Sequence, residues 1–330
     1  IPGIFTGQLA NTTLGWEKIT QSNIGLDFIV FNNKLEGNVD VYKKVTTDLF
    51  NSVNTSAVTG NYALSANNGE LVNKGIELSL KYNIINNDDL RLSVFANGSY
   101  NKNEITELLE NDQSGVSQLL QVGNIVREWN LIPYVGVNPA NGNLLFLDAD
   151  GNLTETPDPA NDRRATGKSN LPVYQGGFGF NADYKGFLLN TLFSYQYDVW
   201  RIDNQLTWAY NPYFIGDDNV SADLLNAWTP TNQTSNIPSL SAANTALSGD
   251  SDRFLYDSSF LRLKSVNFGY NFPKEFLKNT LISDLRFYVQ GENLLTWTKW
   301  RGFDPEATTA LSVTNFPNPK TISFGASVSF

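Results

Sequence analysis

The sequence predicts an all-β chain whose strands cross a lipid bilayer as one arc of a transmembrane antiparallel β-barrel. Three observations carry that prediction. Segments of alternating apolar and polar residues recur at the roughly 9–11 residues that a tilted bilayer crossing needs. The connections between them alternate between short turns and long loops. Aromatic residues are sorted by strand end. Because successive side chains on a strand point to opposite faces, each such segment has one oily face and one wet one.

The chain opens at Ile1-Pro2-Gly3-Ile4-Phe5 without periodicity, initiator Met or signal segment, and reads as a piece of a longer protein or a processed one. From Thr20 a strand sets Ile24, Leu26, Phe28 and Val30 against Asn23, Gly25 and Asp27, then turns at Asn32-Asn33-Lys34. The return strand sets Leu35, Gly37, Val39 and Val41 against Glu36, Asn38, Asp40 and Tyr42. After a loop over Asn51–Asn68 come Ile76, Leu78, Leu80, Tyr82 and Ile84 against Glu77, Ser79, Lys81 and Asn83. Asn86-Asn87-Asp88-Asp89 turns the chain into Leu90, Leu92, Val94, Ala96, Gly98 and Tyr100, with Arg91, Ser93, Phe95, Asn97 and Ser99 on the other face.

A long insertion follows. Then Tyr174, Gly176, Phe178, Phe180, Ala182 and Tyr184 alternate with Gln175, Gly177, Gly179, Asn181 and Asp183, and Lys185-Gly186 leads into Phe187, Leu189, Thr191, Phe193, Tyr195 and Tyr197. A second insertion precedes strands over Arg253–Pro273, Ile282–Lys299 and Lys320–Phe330. The last of these sets Ile322, Phe324, Ala326, Val328 and Phe330 against Thr321, Ser323, Gly325, Ser327 and Ser329.

That makes nine strands, with short turns at 32–34, 86–89, 185–186 and 273–281 and long loops at 51–68, 103–170, 202–250 and 300–318. Sorting of connection lengths by side is the asymmetry of an outer-membrane barrel, whose longer loops are extracellular. Trp16, Trp200, Trp297 and Trp300 sit at the long-loop ends of strands, and Tyr184, Phe187, Phe272 and Phe276 at the short-turn ends. Two aromatic girdles around an apolar band are the membrane reading of that distribution.

In the Arg253–Pro273 strand, Leu261 and Leu263 share one parity, whereas Val266, Phe268, Tyr270 and Phe272 take the other. A one-residue bulge near Lys264–Ser265 would put both apolar sets outside and send Arg262 inward; the alternative is that Arg262 and Lys264 both snorkel at the outer rim. Nine is an odd number, and an open sheet leaves unpaired edges that hydrocarbon does not tolerate. Further strands, from an N-terminal part absent here, are expected to close the ring.

Composition excludes several alternatives. No run of about 18 apolar residues is present, so no transmembrane helix is available. The chain has no His and no Cys, which removes the usual zinc sites and any triad that needs imidazole. No cofactor and no metal is called for. Of the acidic residues, ten lie against four basic ones between Asn103 and Asn170, and five against none between Ile202 and Asp250. The remainder is near neutral, so the net charge of −10 belongs to two insertions and nucleic acid is not an expected partner.

A series of short motifs recurs in order along nearly the whole chain. They are Leu14-Gly15-Trp16-Glu17 leading to Asn23-Ile24-Gly25-Leu26-Asp27-Phe28, Tyr42-Lys43-Lys44 with Thr47-Asp48-Leu49, and Asn68-Gly69-Glu70 leading to Asn73-Lys74-Gly75-Ile76-Glu77. Tyr174-Gln175-Gly176-Gly177-Phe178 and Tyr184-Lys185-Gly186-Phe187 follow. Ser259-Phe260-Leu261-Arg262-Leu263-Lys264, Gly291-Glu292-Asn293-Leu294, Gly302-Phe303-Asp304-Pro305-Glu306 and the terminal Phe330 complete the set. On these residues the chain resembles the C-terminal part of the SusC/RagA family of TonB-linked outer-membrane transporters. The resemblance implies a barrel of about 22 strands, of which these are the last nine. It also implies a plug domain and a TonB-contacting N-terminal part, neither within this sequence, and a SusD-like surface lipoprotein over the barrel mouth. Oligosaccharides or peptides are the implied substrates, and no enzymatic activity is implied.

Trp208, Tyr210, Tyr213, Phe214 and Trp228 stud the second insertion, where aromatics suit sugar stacking or a protein interface as well as packing of the loop on itself. Asp304 and Glu306 are candidates for binding a cation or the partner, or for shaping the last loop. Asp148-Ala149-Asp150-Gly151-Asn152 lacks the Gly and Glu spacing of a calcium loop and reads as a polar turn. Asp27, Asp40, Glu77, Arg91, Asp183, Arg286, Gln290 and Glu292 fall on the wet faces and are expected to line a channel. Two other functions compete with import: a structural subunit of an outer-membrane assembly or secretion complex, and a barrel enzyme, which the lack of His disfavours.

Overall fold

The computed structural model describes residues 10–54, 58, 63–108, 118–306 and 316–330; the opening Ile1–Phe5 lies outside them. Its main element is a nine-stranded antiparallel sheet. The strands are β1 (Lys18–Val30), β2 (Leu35–Thr47), β3 (Glu70–Asn86), β4 (Leu90–Glu107), β5 (Tyr174–Tyr184), β6 (Phe187–Tyr197), β7 (Phe260–Asn271), β8 (Asp284–Thr298) and β9 (Thr321–Ser329). Each pairs with the strands before and after it in this order, and β1 and β9 are the two edges.

The period-two pattern is what sorts the faces. One row across the sheet runs Asp27, Asn38, Ser79, Asn97, Gly177, Ser194, Arg262 and Thr296. The row beside it, displaced by one residue and therefore on the other face, runs Phe28, Gly37, Leu80, Ala96, Phe178, Phe193, Leu263 and Leu295. No protein covers the apolar face: Leu26 is 65% exposed and Phe324 80% exposed. A continuous oily band of this size is unstable against water and suited to lipid. Phe178 and Phe193 stack on it at 5.0 Å between ring centroids.

The turns follow from residue type. Lys185 and Gly186 both adopt left-handed backbone, at φ 48° and 91°, as a two-residue hairpin matched to strand twist requires. Phe31, Asn32 and Asn33 do the same between β1 and β2. The 273–281 connection carries one helical turn, α1 (Lys274–Leu277).

The bulge is present. Leu192 and Phe193 of β6 face Ser265 and Leu263, leaving Lys264 without an opposite residue. On the other side, Leu263 pairs with Leu295 and Ser265 with Glu292, so Asn293 and Leu294 share the space opposite Lys264. Asn293 takes left-handed backbone at φ 52°. The parity change in β7 therefore leaves every outward position apolar, and Arg262 points to the wet face, 2% exposed.

Three details differ from the sequence reading. The 51–68 connection begins and ends in strand, with Phe50–Asn54 paired to Ala63–Asn67. The strand read over Arg253–Pro273 is broken. Leu255–Asp257 pairs with Trp200–Ile202, and β7 starts afresh at Phe260. Ser258 and Ser259 sit at the break: the Ser258 N–H, at 2.9 Å, and its hydroxyl, at 3.2 Å, both donate to the Val199 carbonyl, and the Ser259 hydroxyl accepts from the Asp198 N–H at 3.0 Å. Trp200 does not extend the outer girdle. It packs against the core of Trp129, Leu131, Ile202, Phe254 and Leu255, under the ammonium of Lys168 at 4.0 Å.

The two acidic insertions fold together as one cap at the long-loop end of the sheet. Two small sheets build the first, Gln118–Leu119, Glu128–Leu131 and Arg164–Ser169 in one, Tyr134–Val137, Leu144–Leu147 and Leu153–Thr154 in the other. The second contributes α2 (Asn204–Ala209), started by the Asp203 side chain accepting from the Leu206 N–H. The insertions interlock at Asn244, whose buried side chain accepts from the Leu144 N–H at 3.0 Å and donates to the carbonyls of Leu144 and Glu155 at 2.9 and 2.8 Å. Asp252 accepts from the Tyr134 N–H at 2.8 Å, and Arg163 pairs with Asp250. Leu144 and Phe146 are fully buried as a result.

Candidate functional site

Two features stand out above the wet face of the sheet: the polar lining itself and the way the last loop is fastened to it. The lining forms an open concavity of about 640 Å³ bounded by Asn38, Asp40, Glu77, Ser79, Asn97, Ser99, Gln175, Gln196 and Glu306. Asp27, Glu36 and Lys81 border a second hollow nearby. The register puts Asp40 beside Glu77, Asp183 beside Arg91, and Glu292 beside Ser265. Arg286 donates to the Asn267 side chain at 3.2 Å, and Gln290 to Glu292 at 2.8 Å. All eight residues expected to line a channel thus share one face with hydroxyls and amides.

The last loop is held by charge. The buried guanidinium of Arg262 pairs with Asp304 and, at 3.2 Å, with Glu306, which also takes the Lys264 ammonium at 3.2 Å. Asp304 accepts in addition from the backbone N–H of Glu306 at 2.9 Å and of Asn318 at 2.8 Å. Burial works to raise the Asp304 carboxyl, but the hydrogen bonds and the charge of Arg262 outweigh it and hold its pKa below the usual carboxylate range. Arg201, itself buried, donates to the Ser258 hydroxyl and to the Pro305 carbonyl. Asp304 and Glu306 are therefore engaged within the chain and serve to shape the loop. Their partner Arg262 is legible in the sequence as a cation interrupting an oily strand.

The five aromatics of the second insertion divide. Trp208 packs on Phe214 at 5.3 Å and Tyr210 on Phe254 at 6.0 Å, with the Tyr210 hydroxyl bonded to Asp223. Trp228 donates to the Pro139 carbonyl at 3.0 Å, tying one insertion to the other. Tyr213 is the outlier, 81% exposed. In the first insertion, the Asp148 carboxylate accepts from the N–H groups of Asp150 at 3.0 Å and Asn152 at 2.8 Å, which closes a polar turn. Glu155 accepts from the side-chain amides of Asn138, Asn141 and Asn143, which lower its pKa. No cluster of three metal-ligating side chains occurs among the described residues.

Sequence reasoning missed Arg253 and Arg301. They meet across a cavity of about 390 Å³ with Tyr134, Tyr210, Tyr256, Phe254, Asp223, Asn226 and Asn236. Nothing local marks them, since the first, second and last loops each supply part of the wall.

A family model described as TonB dependent receptor-like, beta-barrel matches residues 2–148. TonB-dependent receptor P3 of Formosa agariphila is 30% identical across 100% of this chain, and the match covers 36% of that protein. TonB-dependent receptor SusC of Bacteroides thetaiotaomicron is 28% identical across 97% of the chain and 32% of its own length. The solved RagAB peptide importer in its closed-closed state superposes with a TM-score of 0.86 at 32% identity, over 97% of this chain and 36% of that one. The chain belongs to the TonB-dependent receptors of the SusC/RagA type. It spans about a third of the length of these receptors. Its oily face has the character of a barrel exterior, and the row from Asp27 to Thr296 lies on the opposite face.

Proposed function

We propose that the intact receptor carrying this chain imports nutrients too large for simple porins, oligosaccharides or peptides, across the outer membrane. In this reading the long loops are extracellular, other strands close the ring, a plug fills it, TonB supplies the energy, and a SusD-like surface lipoprotein seats on the mouth. The observation that carries the reading is the sheet's division into one unbroken oily face and one face of hydroxyls, amides and carboxylates, on a wall matching the RagAB peptide importer. Long loops folded into a cap, with Tyr213 at 81% and Leu225 at 90% exposure, support a protein seated on the mouth. A catalytic role draws no support from the lining.

The test is uptake in the source bacterium. Deleting the gene should abolish entry of fluorescently labelled oligosaccharides or peptides that the wild type accumulates, and disabling TonB should do the same. Affinity purification of the receptor should bring down one lipoprotein in stoichiometric amount. Unchanged uptake of every labelled oligosaccharide and peptide on deletion would refute import and favour an assembly subunit.

A further inference from the structure

The cavity between Arg253 and Arg301 has the chemistry of a subsite for an anion. It lies in a cap that is otherwise acidic, with fifteen Asp and Glu against four Lys and Arg over the two insertions. Among the described residues Arg253 has no carboxylate in ion-pair range. It donates to the Ser248 hydroxyl at 3.0 Å and lies between two ring faces, 5.4 Å from the Tyr134 centroid and 4.9 Å from that of Phe254. Arg301 reaches in from the last loop over the ring of Tyr256, at 5.6 Å, and among the described residues it too has no ion pair. Of the other cations near or within the cap and last loop, Arg163, Arg164, Arg201, Arg262 and Lys264 are committed to carboxylates or backbone carbonyls, and Lys168 lies over the Trp200 ring. The one carboxylate on the cavity wall, Asp223, is bonded by the Tyr210 hydroxyl.

A guanidinium pair held against aromatic faces and left without a counterion favours a planar anion that each fork can take side-on. The tyrosine rings offer flat surface to a sugar or side chain beside it. Asn226, Asn236 and Asp223 offer hydrogen bonds to its neutral groups. We propose that this cavity binds a carboxylate-bearing end of the imported molecule, with Arg253 and Arg301 as its anion-binding residues. The proposal rests on the import reading and sharpens it: the receptor would select for charge before anything enters the lining below.

A carboxylate of this kind is found on a uronate sugar or at a peptide C-terminus, and the experiment separates the two. The intact receptor in detergent is titrated calorimetrically with trigalacturonate and its methyl ester, and with a free-acid tripeptide and its C-terminal amide. One acid should bind at least about tenfold tighter than its neutral partner. R301Q, at an exposed position, should remove that margin with the heat-modifiable folded fraction unchanged, and R253Q should remove it too. Equal binding of acid and neutral forms, binding of neither acid, or an acid preference untouched by R301Q would overturn the proposal. Uptake assays on the same variants keep the two readings apart. Acid binding without uptake would end the import reading and spare the subsite, whereas uptake that ignores charge would do the reverse.

Discussion

Arg262 on β7 and Asp304 in the last loop form a buried ion pair across 42 residues of sequence, and both side chains are almost wholly withdrawn from solvent. Removing one partner strands the other, which typically costs about 3–5 kcal/mol. R262L and D304A should therefore free the 300–318 segment, visible as rapid proteolytic cleavage there while the sheet stays protected. The double variant should recover part of the loss.

The same pair has a pH dependence of fixed sign. The Asp304 carboxyl is depressed in the folded protein, so its contribution is present above the unfolded value of about 3.9 and disappears as pH falls through the lower, folded one. The melting temperature of wild type minus that of D304N should stay constant from neutral pH down to about pH 5 and narrow only below about pH 4. A gap that closes between pH 6 and 7 would contradict the assignment.

Deleting Lys264 removes the bulge and forces either Arg262 or the Val266–Phe268 set onto the wrong face. A cation on the lipid side near mid-bilayer costs roughly 2–4 kcal/mol. The deletion should lower the fraction of heat-modifiable, folded barrel on electrophoresis of membranes.

A pair of neighbouring substitutions separates the two faces without touching the bulge. Val266 pairs with Gly291 on the oily face, and Asn267 with Gln290 on the wet one. V266K should impair insertion by a similar 2–4 kcal/mol, and N267K should insert normally. Equal effects would contradict the orientation.

In the cap, Gly142 has φ 79°, and a Cβ there would meet the Trp228 ring at 2.6 Å and the Ser239 side chain at 2.8 Å. G142A is both strained and crowded. It should loosen the junction of the two insertions, read as a red shift and loss of intensity in Trp228 fluorescence, with β-sheet content by circular dichroism unchanged.

The nine strands were legible because a half-buried strand writes its two faces directly into the sequence, as from Ile322 to Phe330. The bulge was legible for the same reason: Leu263 and Val266 cannot both face lipid without an extra residue between them. What holds the loops left no such trace. Arg262 and Asp304 are joined through space, and Asn244 reaches a backbone 100 residues away. The cap's strands are two to six residues long, too short for periodicity to separate them from loop. Ser258 and Ser259 interrupt a run that hydropathy alone continues, at bonds to Val199 and Asp198 that only the folded chain defines.

The row of Asn38, Ser79, Asn97 and Ser194 carries dipoles and no net charge, and the cations next to it at Arg262 and Lys264 are already neutralised by Asp304 and Glu306. Fixed charge on this face is therefore displaced to either side of the row, to Asp40 and Glu77 in one direction and to Glu36 and Lys81 in the other, so the middle of the sheet offers hydrogen bonds without a net field of its own.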